Sequence, residues 1–270
     1  MERGHTVPTR RRAVIILAAS IAAVTAAAAA VALTGGNDDT PQATEPATTA
    51  VTSLPSSATA TRPPTTDLFG NRLDVPADDA GTALPQDPGH RPDPALPDYL
   101  AAAPVPLQWQ RGWQGAALPM SGSDGPARID DGIAHGFAQT PQGAALAACD
   151  SLARALSAPE GTWQNVVRTR YLGGGQALLD RFARSRTATP AAARYVTVPD
   201  GLRVQPGYRP DFAVVEIAVR ARDGYAASTW PMAWIDGDWR VRVPDDIDTL
   251  WQLATPLATL DGFGQWRTTT

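Results

Sequence analysis

Few side chains in this sequence have the type and spacing that chemistry requires. Acyl transfer by serine or cysteine needs an imidazole beside the nucleophile. His5 lies among N-terminal arginines and His90 in a Pro/Asp-rich stretch, which leaves His135. Its setting, Ile133-Ala-His-Gly-Phe137, matches no nucleophile or metal signature, so it reads as a structural or exposed histidine. Asp130-Asp131 and Asp245-Asp246-Ile-Asp248 could pair carboxylates or hold a cation, but neither has the Asx-Gly spacing of a calcium loop. They read as solvated turns and a helix N-terminus. Gly173-Gly174-Gly175 lacks the Lys-Ser/Thr of a phosphate loop and follows a predicted helix, so it reads as a helix stop. Cys149 is the single cysteine; disulfides within the chain and multi-cysteine zinc sites are excluded. No catalytic residue, metal ligand or cofactor is expected.

Aromatic residues are the other candidates. Trp109, Trp113, Trp163, Trp230, Trp234 and Trp239 could line a pocket or a partner surface, although core packing accounts for most such residues. Gly143 and Ala147 form a small-residue stripe on a predicted helix and would allow a neighbouring segment to come close.

These residues fall in the C-terminal part of a chain with an uneven composition. All eight tryptophans follow residue 108. Lysine is absent, the net charge is −4, and no basic run occurs beyond the N-terminus, so a broad phosphate-contacting surface and nucleic-acid binding are not expected.

Arg3, Arg10, Arg11 and Arg12 form a short arm over residues 1–12, followed by an apolar run from Ala13 to Leu33 broken only by Ser20 and Thr25. At ~1.5 Å per residue this run is long enough to cross a bilayer. The arginines place the N-terminus in the cytoplasm and the rest outside. Residues 13–34 are therefore expected as a membrane helix or signal anchor, with a cleaved signal peptide as the alternative. Residues 35–105, rich in Pro, Thr, Ser, Ala and Asp, are expected to be a disordered linker of ~45 Å root-mean-square span.

The foldable domain is expected over 106–265. Leu107–Trp113 reads as a strand, with short extended pieces at Ala127–Ile129 and Ile133–Phe137. Thr140-Pro141 starts a helix, a hydroxyl cap followed by proline. Its apolar face carries Leu146, Cys149, Ala153 and Leu156; Gly143, Ala147, Asp150 and Arg154 form the other face. Further helices are expected over Thr162–Leu172 and Gln176–Arg186, the latter exposing Arg181 and Arg184. Strands follow at Tyr195–Val204, Phe212–Arg222, Tyr225–Ile235 and Trp239–Val243, with hairpin turns at Asp223-Gly224 and Asp236-Gly237. Glu216, the acid well inside a strand, is expected to face solvent. A closing helix is expected over Thr249–Leu260.

An early strand, a helical block and an antiparallel sheet ending in Trp234-Ile-Asp-Gly-Asp-Trp-Arg-Val241 together resemble the nuclear-transport-factor-like superfamily. The resemblance implies an α+β fold in which helices pack on a curved antiparallel sheet, the cystatin-like cone. Gly136-Phe-Ala-Gln-Thr-Pro-Gln-Gly-Ala-Ala-Leu-Ala-Ala148 is similar to a segment of membrane-anchored proteins of actinobacterial conjugative elements. These resemble more distantly the single-pass scaffold subunit of type IV secretion systems. The resemblance implies a non-enzymatic scaffold or accessory component of a conjugation or secretion apparatus. Its expected contacts are the membrane, through Ala13–Leu33, and protein partners in an envelope complex, self-association included. The alternative is an extracytoplasmic binding module for a small ligand or envelope polymer.

Overall fold

A computed structural model describes residues 62–268. The arm, the apolar run Ala13–Leu33 and residues 35–61 of the expected linker lie outside the described residues. Among those described, no helix is long and apolar enough to cross a membrane.

The architecture is α+β. A first sheet contains β1 (Arg62–Thr66), β2 (Arg72–Val75), β3 (Leu107–Arg111) and β4 (Ala117–Ser121), in that order, with β2 and β3 parallel and the other pairs antiparallel. A small hairpin follows, β5 (Arg128–Asp130) with β6 (Ile133–His135). Three helices come next: α1 (Pro141–Ser157), α2 (Thr162–Arg170) and, after the two-residue strand β7 (Tyr171–Leu172), α3 (Gly175–Ala188). The chain then builds β8 (Gly201–Val204), β9 (Phe212–Ala221), β10 (Gly224–Ile235), β11 (Asp238–Arg242) and β12 (Thr255–Leu257). The second sheet runs β7-β11-β10-β9-β8, with β12 paired to the start of β10.

The long hairpins follow from local chemistry. Val215, Ile217 and Val219 alternate along β9 and are buried. Asp236 and Gly237 both take positive φ, 53° and 78°, the conformation a two-residue turn needs to match strand twist. The core forms where α1 lies against β4 of the first sheet and against β8, β9 and β11 of the second.

Several expectations need correction. Residues 62–105 are not linker: β1 and β2 pair with each other, β2 joins β3, and Leu73 is buried. At the other boundary, Trp266 lies in the core and Arg267 reaches Asn71, so the folded unit extends past 265. The strand expected over Tyr195–Val204 is a 3-10 turn, Ala192–Tyr195, and then β8. In place of a closing helix over Thr249–Leu260 there is a 3-10 turn, Ile247–Trp251, followed by β12. Leu250 and Trp251 are buried there, and Pro256 stands in the extended segment, where a helix interior would lose a hydrogen bond.

Candidate functional site

The second sheet and the loops around it are organised by α1. Thr140 caps its first turn by accepting from the Gly143 amide at 3.0 Å, and Pro141 occupies the first helical position. All seventeen residues of the helix are buried. The polar face expected at Asp150 and Arg154 is therefore interior. Arg154 Nε donates to Asp150 Oδ1 at 2.7 Å, Arg154 Nη1 donates to the Gly132 carbonyl at 2.9 Å, and the guanidinium lies 5.7 Å from the Trp113 ring. A charge taken out of water must be paired, and this pair fastens the β5–β6 turn to the helix. At Gly143, a Cβ would run into the carbonyl oxygen of Ala138, in the helix's own lead-in. Ala147 is fully buried in the core.

The tryptophans are spread through the core and do not share one pocket. Trp109 donates to the Trp266 carbonyl at 2.7 Å, and Trp266 in turn donates to Ala101 at 2.8 Å. Trp163 donates to Glu160 at 2.9 Å beneath the Arg186 guanidinium, and Trp230 donates to Ser228 at 2.9 Å. Trp109 borders an apolar crevice of about 30 Å³ with Cys149, Leu152 and Ile217. Trp230 borders a separate hollow of about 200 Å³ beside the 249–255 segment. Trp113 and Trp234 are half-buried.

One group of aromatics does converge. Trp234 and Trp239 face each other across the β10–β11 hairpin, edge to face at 5.4 Å, and Tyr208 in the β8–β9 loop lies 6.3 Å from Trp239. Trp239 donates to the Ala138 carbonyl at 2.8 Å, Tyr208 donates to Gln139 at 3.0 Å, and Gln139 donates back to Pro210 at 2.9 Å. The cluster is thus clamped to the loop that leads into α1, with Tyr208 and Trp234 at its half-buried rim.

Beside it stands a buried carboxylate, Asp124. It accepts from Thr140 Oγ1 at 2.5 Å and from Ser123 Oγ at 2.6 Å, and Arg91 Nε lies 3.7 Å away. The Tyr208 hydroxyl is pushed up to about 12, mainly by burial and then by Tyr99 and Asp124. Tyr99 is raised as well, by burial and Asp124, with Arg91 opposing. Both therefore remain neutral hydrogen-bonding groups at physiological pH. Nothing in the sequence marks Tyr99, Tyr208, Arg91 or Asp124: none carries a motif, and Arg91 and Asp124 lie 117 and 84 positions before Tyr208.

The remaining chemical candidates are accounted for. His135 ends β6, and burial together with Arg170 and Arg128 lowers its pKa. His90 lies 3.3 Å from Asp87 on the surface. Asp130 pairs with Arg128 at 2.7 Å and Asp248 with Arg181 at 3.1 Å; Arg181, expected to be exposed, is buried over Trp251. Glu216, expected in solvent, is half-buried beneath Arg203 and bonded to it. Gly173, Gly174 and Gly175 take φ of 98°, 74° and 48° and link β7 to α3, so they start a helix instead of only stopping one. Among the described residues, no group of three or more His, Cys, Asp or Glu is placed to hold a metal ion.

A family model described as "Domain of unknown function (DUF8175)" matches residues 74–265. No curated protein and no solved structure matches the chain.

Proposed function

The chain belongs to this DUF8175 family, and we propose that it is a non-enzymatic, membrane-anchored scaffold or accessory component of a conjugation or secretion apparatus. Ala13–Leu33 holds it in the membrane, the arginine arm stays in the cytoplasm, and the folded unit works outside the cell through protein contacts. The finer reading of the fold, a nuclear-transport-factor-like cone, goes with this proposal: α1 packs against β8, β9 and β11 of the larger sheet.

The observation that carries the proposal is the placement of Tyr208 and Trp234. Tyr208 stands on the β8–β9 loop, held to Gln139, and Trp234 near the end of β10, its amide bonded to the Asp211 carbonyl at 3.0 Å; they flank a buried Trp239, with Arg209 next to Tyr208. Tyrosine, tryptophan and arginine are the side chains that dominate protein–protein binding energy. Rigid presentation lowers the entropy cost of docking.

The test is DNA transfer from donor cells carrying variants of the full chain. Replacing residues 1–34 by a cleavable export signal is expected to abolish transfer while a folded domain is still exported. Trp234→Ala with Tyr208→Ala is expected to lower transfer at least about tenfold, the weight of one interface hot spot. Undiminished transfer in both cases would remove the proposal.

The alternative reading, a module that binds a small ligand or envelope polymer, draws on a different feature. A groove of about 410 Å³ runs between Pro97–Ala101, Val204 and Phe263, with Asp98 and Arg203 beside its apolar floor. A thermal shift with a soluble glycan or metabolite, lost in Phe263→Ala, would support this reading over the scaffold.

A further inference from the structure

β1 and the turn after it differ sharply in how they are held. All five residues of β1 are exposed. The strand lies at the edge of its sheet, pairs with β2 alone, and has a register shift between Arg62 and Thr65. Pro63 and Pro64 have no N–H to donate to any neighbour. No side chain of β1 is buried, so little apolar surface opposes its separation.

The turn that follows is pinned on several sides. Asp67 Oδ1 accepts from the Phe69 and Asn71 amides at 2.9 Å each. Asp67 Oδ2 accepts from the Asn71 side chain at 2.8 Å and, 131 positions along the chain, from the Val198 amide at 2.9 Å. Arg267 donates to Asn71 and lies 3.5 Å from Asp200. Arg220 stacks over Phe69 at 5.1 Å while donating to Asp200 at 3.0 Å. Segments from four separate parts of the chain meet at this turn.

The direction of loading makes the contrast consequential. Any tension carried by the preceding chain is applied at Arg62, whose partner Val75 lies at the open end of the β1–β2 pair, away from the turn. Pulled across its length, such an antiparallel pair opens one contact at a time, so its few bonds do not share the load. Tension that reaches Asp67 must instead break the carboxylate, arginine and stacking contacts together.

We propose that β1 is a releasable extension of the chain before it, and that the Asp67–Asn71 turn, clasped by Val198, Arg220 and Arg267, is the stop that shields the core. Under strain between the membrane and a docked partner, β1 yields about 17 Å of chain, five residues at ~3.4 Å each, before the fold is loaded. The physiological use rests on the anchoring proposed above; the mechanical behaviour does not.

The experiment is single-molecule pulling of the full-length protein in detergent, between its N-terminus and a handle on Asp236→Cys. Cys149 is buried and leaves that handle unique. Only molecules that later show the large rupture of the core are scored. The expected record is an early, reversible, low-force step of about 17 Å, with core rupture at several-fold higher force. Asp67→Ala, and separately Asn71→Ala, should roughly double the early step by letting the turn follow β1. Absence of the early step overturns the releasable strand. An early step of the same length in both variants overturns the stop. Neither result bears on whether the chain is membrane-anchored, which the transfer assay reads independently.

Discussion

Arg170 at the end of α2 and Asp238 at the start of β11 meet at 2.7 Å, 68 positions apart in sequence. Asp238 also accepts from the Gly136 amide at 3.0 Å and the Phe137 amide at 3.3 Å, while Arg170 Nη2 donates to the Trp239 carbonyl at 2.6 Å. One carboxylate thereby joins a helix, a strand and the loop leading to α1.

The two partners are not equivalent, and this gives a first prediction. Removing Arg170 leaves Asp238 with its backbone donors; removing Asp238 strands a buried guanidinium and two amides. Breaking a buried pair costs about 3–5 kcal/mol. Asp238→Ala should fall at the upper end of that range and Arg170→Ala at the lower, measured by urea unfolding of the purified protein.

Gly143→Ala sets two effects against each other. Alanine improves helix propensity by roughly 1 kcal/mol. Its methyl group would overlap the Ala138 carbonyl oxygen, and forcing a group into a packed site costs about 1–3 kcal/mol. The overlap is with backbone, which cannot turn aside as a side chain can. A net loss of up to about 2 kcal/mol is expected in the same unfolding measurement.

Cys149 should be silent in the native state. It is 7 % exposed, and burial followed by the Asp150 charge raises its thiol pKa far above the usual value. Since the thiolate is the reactive form, labelling by a disulfide reagent at neutral pH should be at least about 100-fold slower in the folded protein than in denaturant. Similar rates in both would show that α1 opens readily.

His135 gives a pH dependence with a definite sign. Its folded pKa lies below the ordinary value of 6.5, chiefly through burial and then through Arg170 and Arg128. As the pH falls through that value, the unfolded chain binds the proton first, so stability declines. Stability measured between pH 7 and pH 5 should fall towards acid, and His135→Gln should flatten that part of the curve.

The parts of the fold legible in the sequence are those set by neighbouring residues. Asp236-Gly237 fixes its own turn, Thr140-Pro141 its own cap, and Val215, Ile217 and Val219 mark one sheet face. β1 was invisible because Arg62-Pro-Pro-Thr-Thr66 has no apolar alternation; it is exposed throughout and is defined by pairing with β2 alone. Asp150 and Arg154 have the spacing of a surface pair, and no helical period reports that both sides of α1 are covered. Arg181 misled in the same way, since Asp248 and Trp251, which shelter it, come 67 and more positions later. At the candidate site, Trp234 and Trp239 were readable because the hairpin brings them together. Tyr208 joins them only through the packing of a separate loop.

The Trp109–Trp266 hydrogen bond spans 157 positions and joins β3 to the end of the folded unit. A growing polypeptide cannot close this core while residue 266 is still inside the ribosome. Until residue 266 has emerged, Trp109 and the surface around it stay available to chaperones, so this core closes only after the whole folded unit has been made.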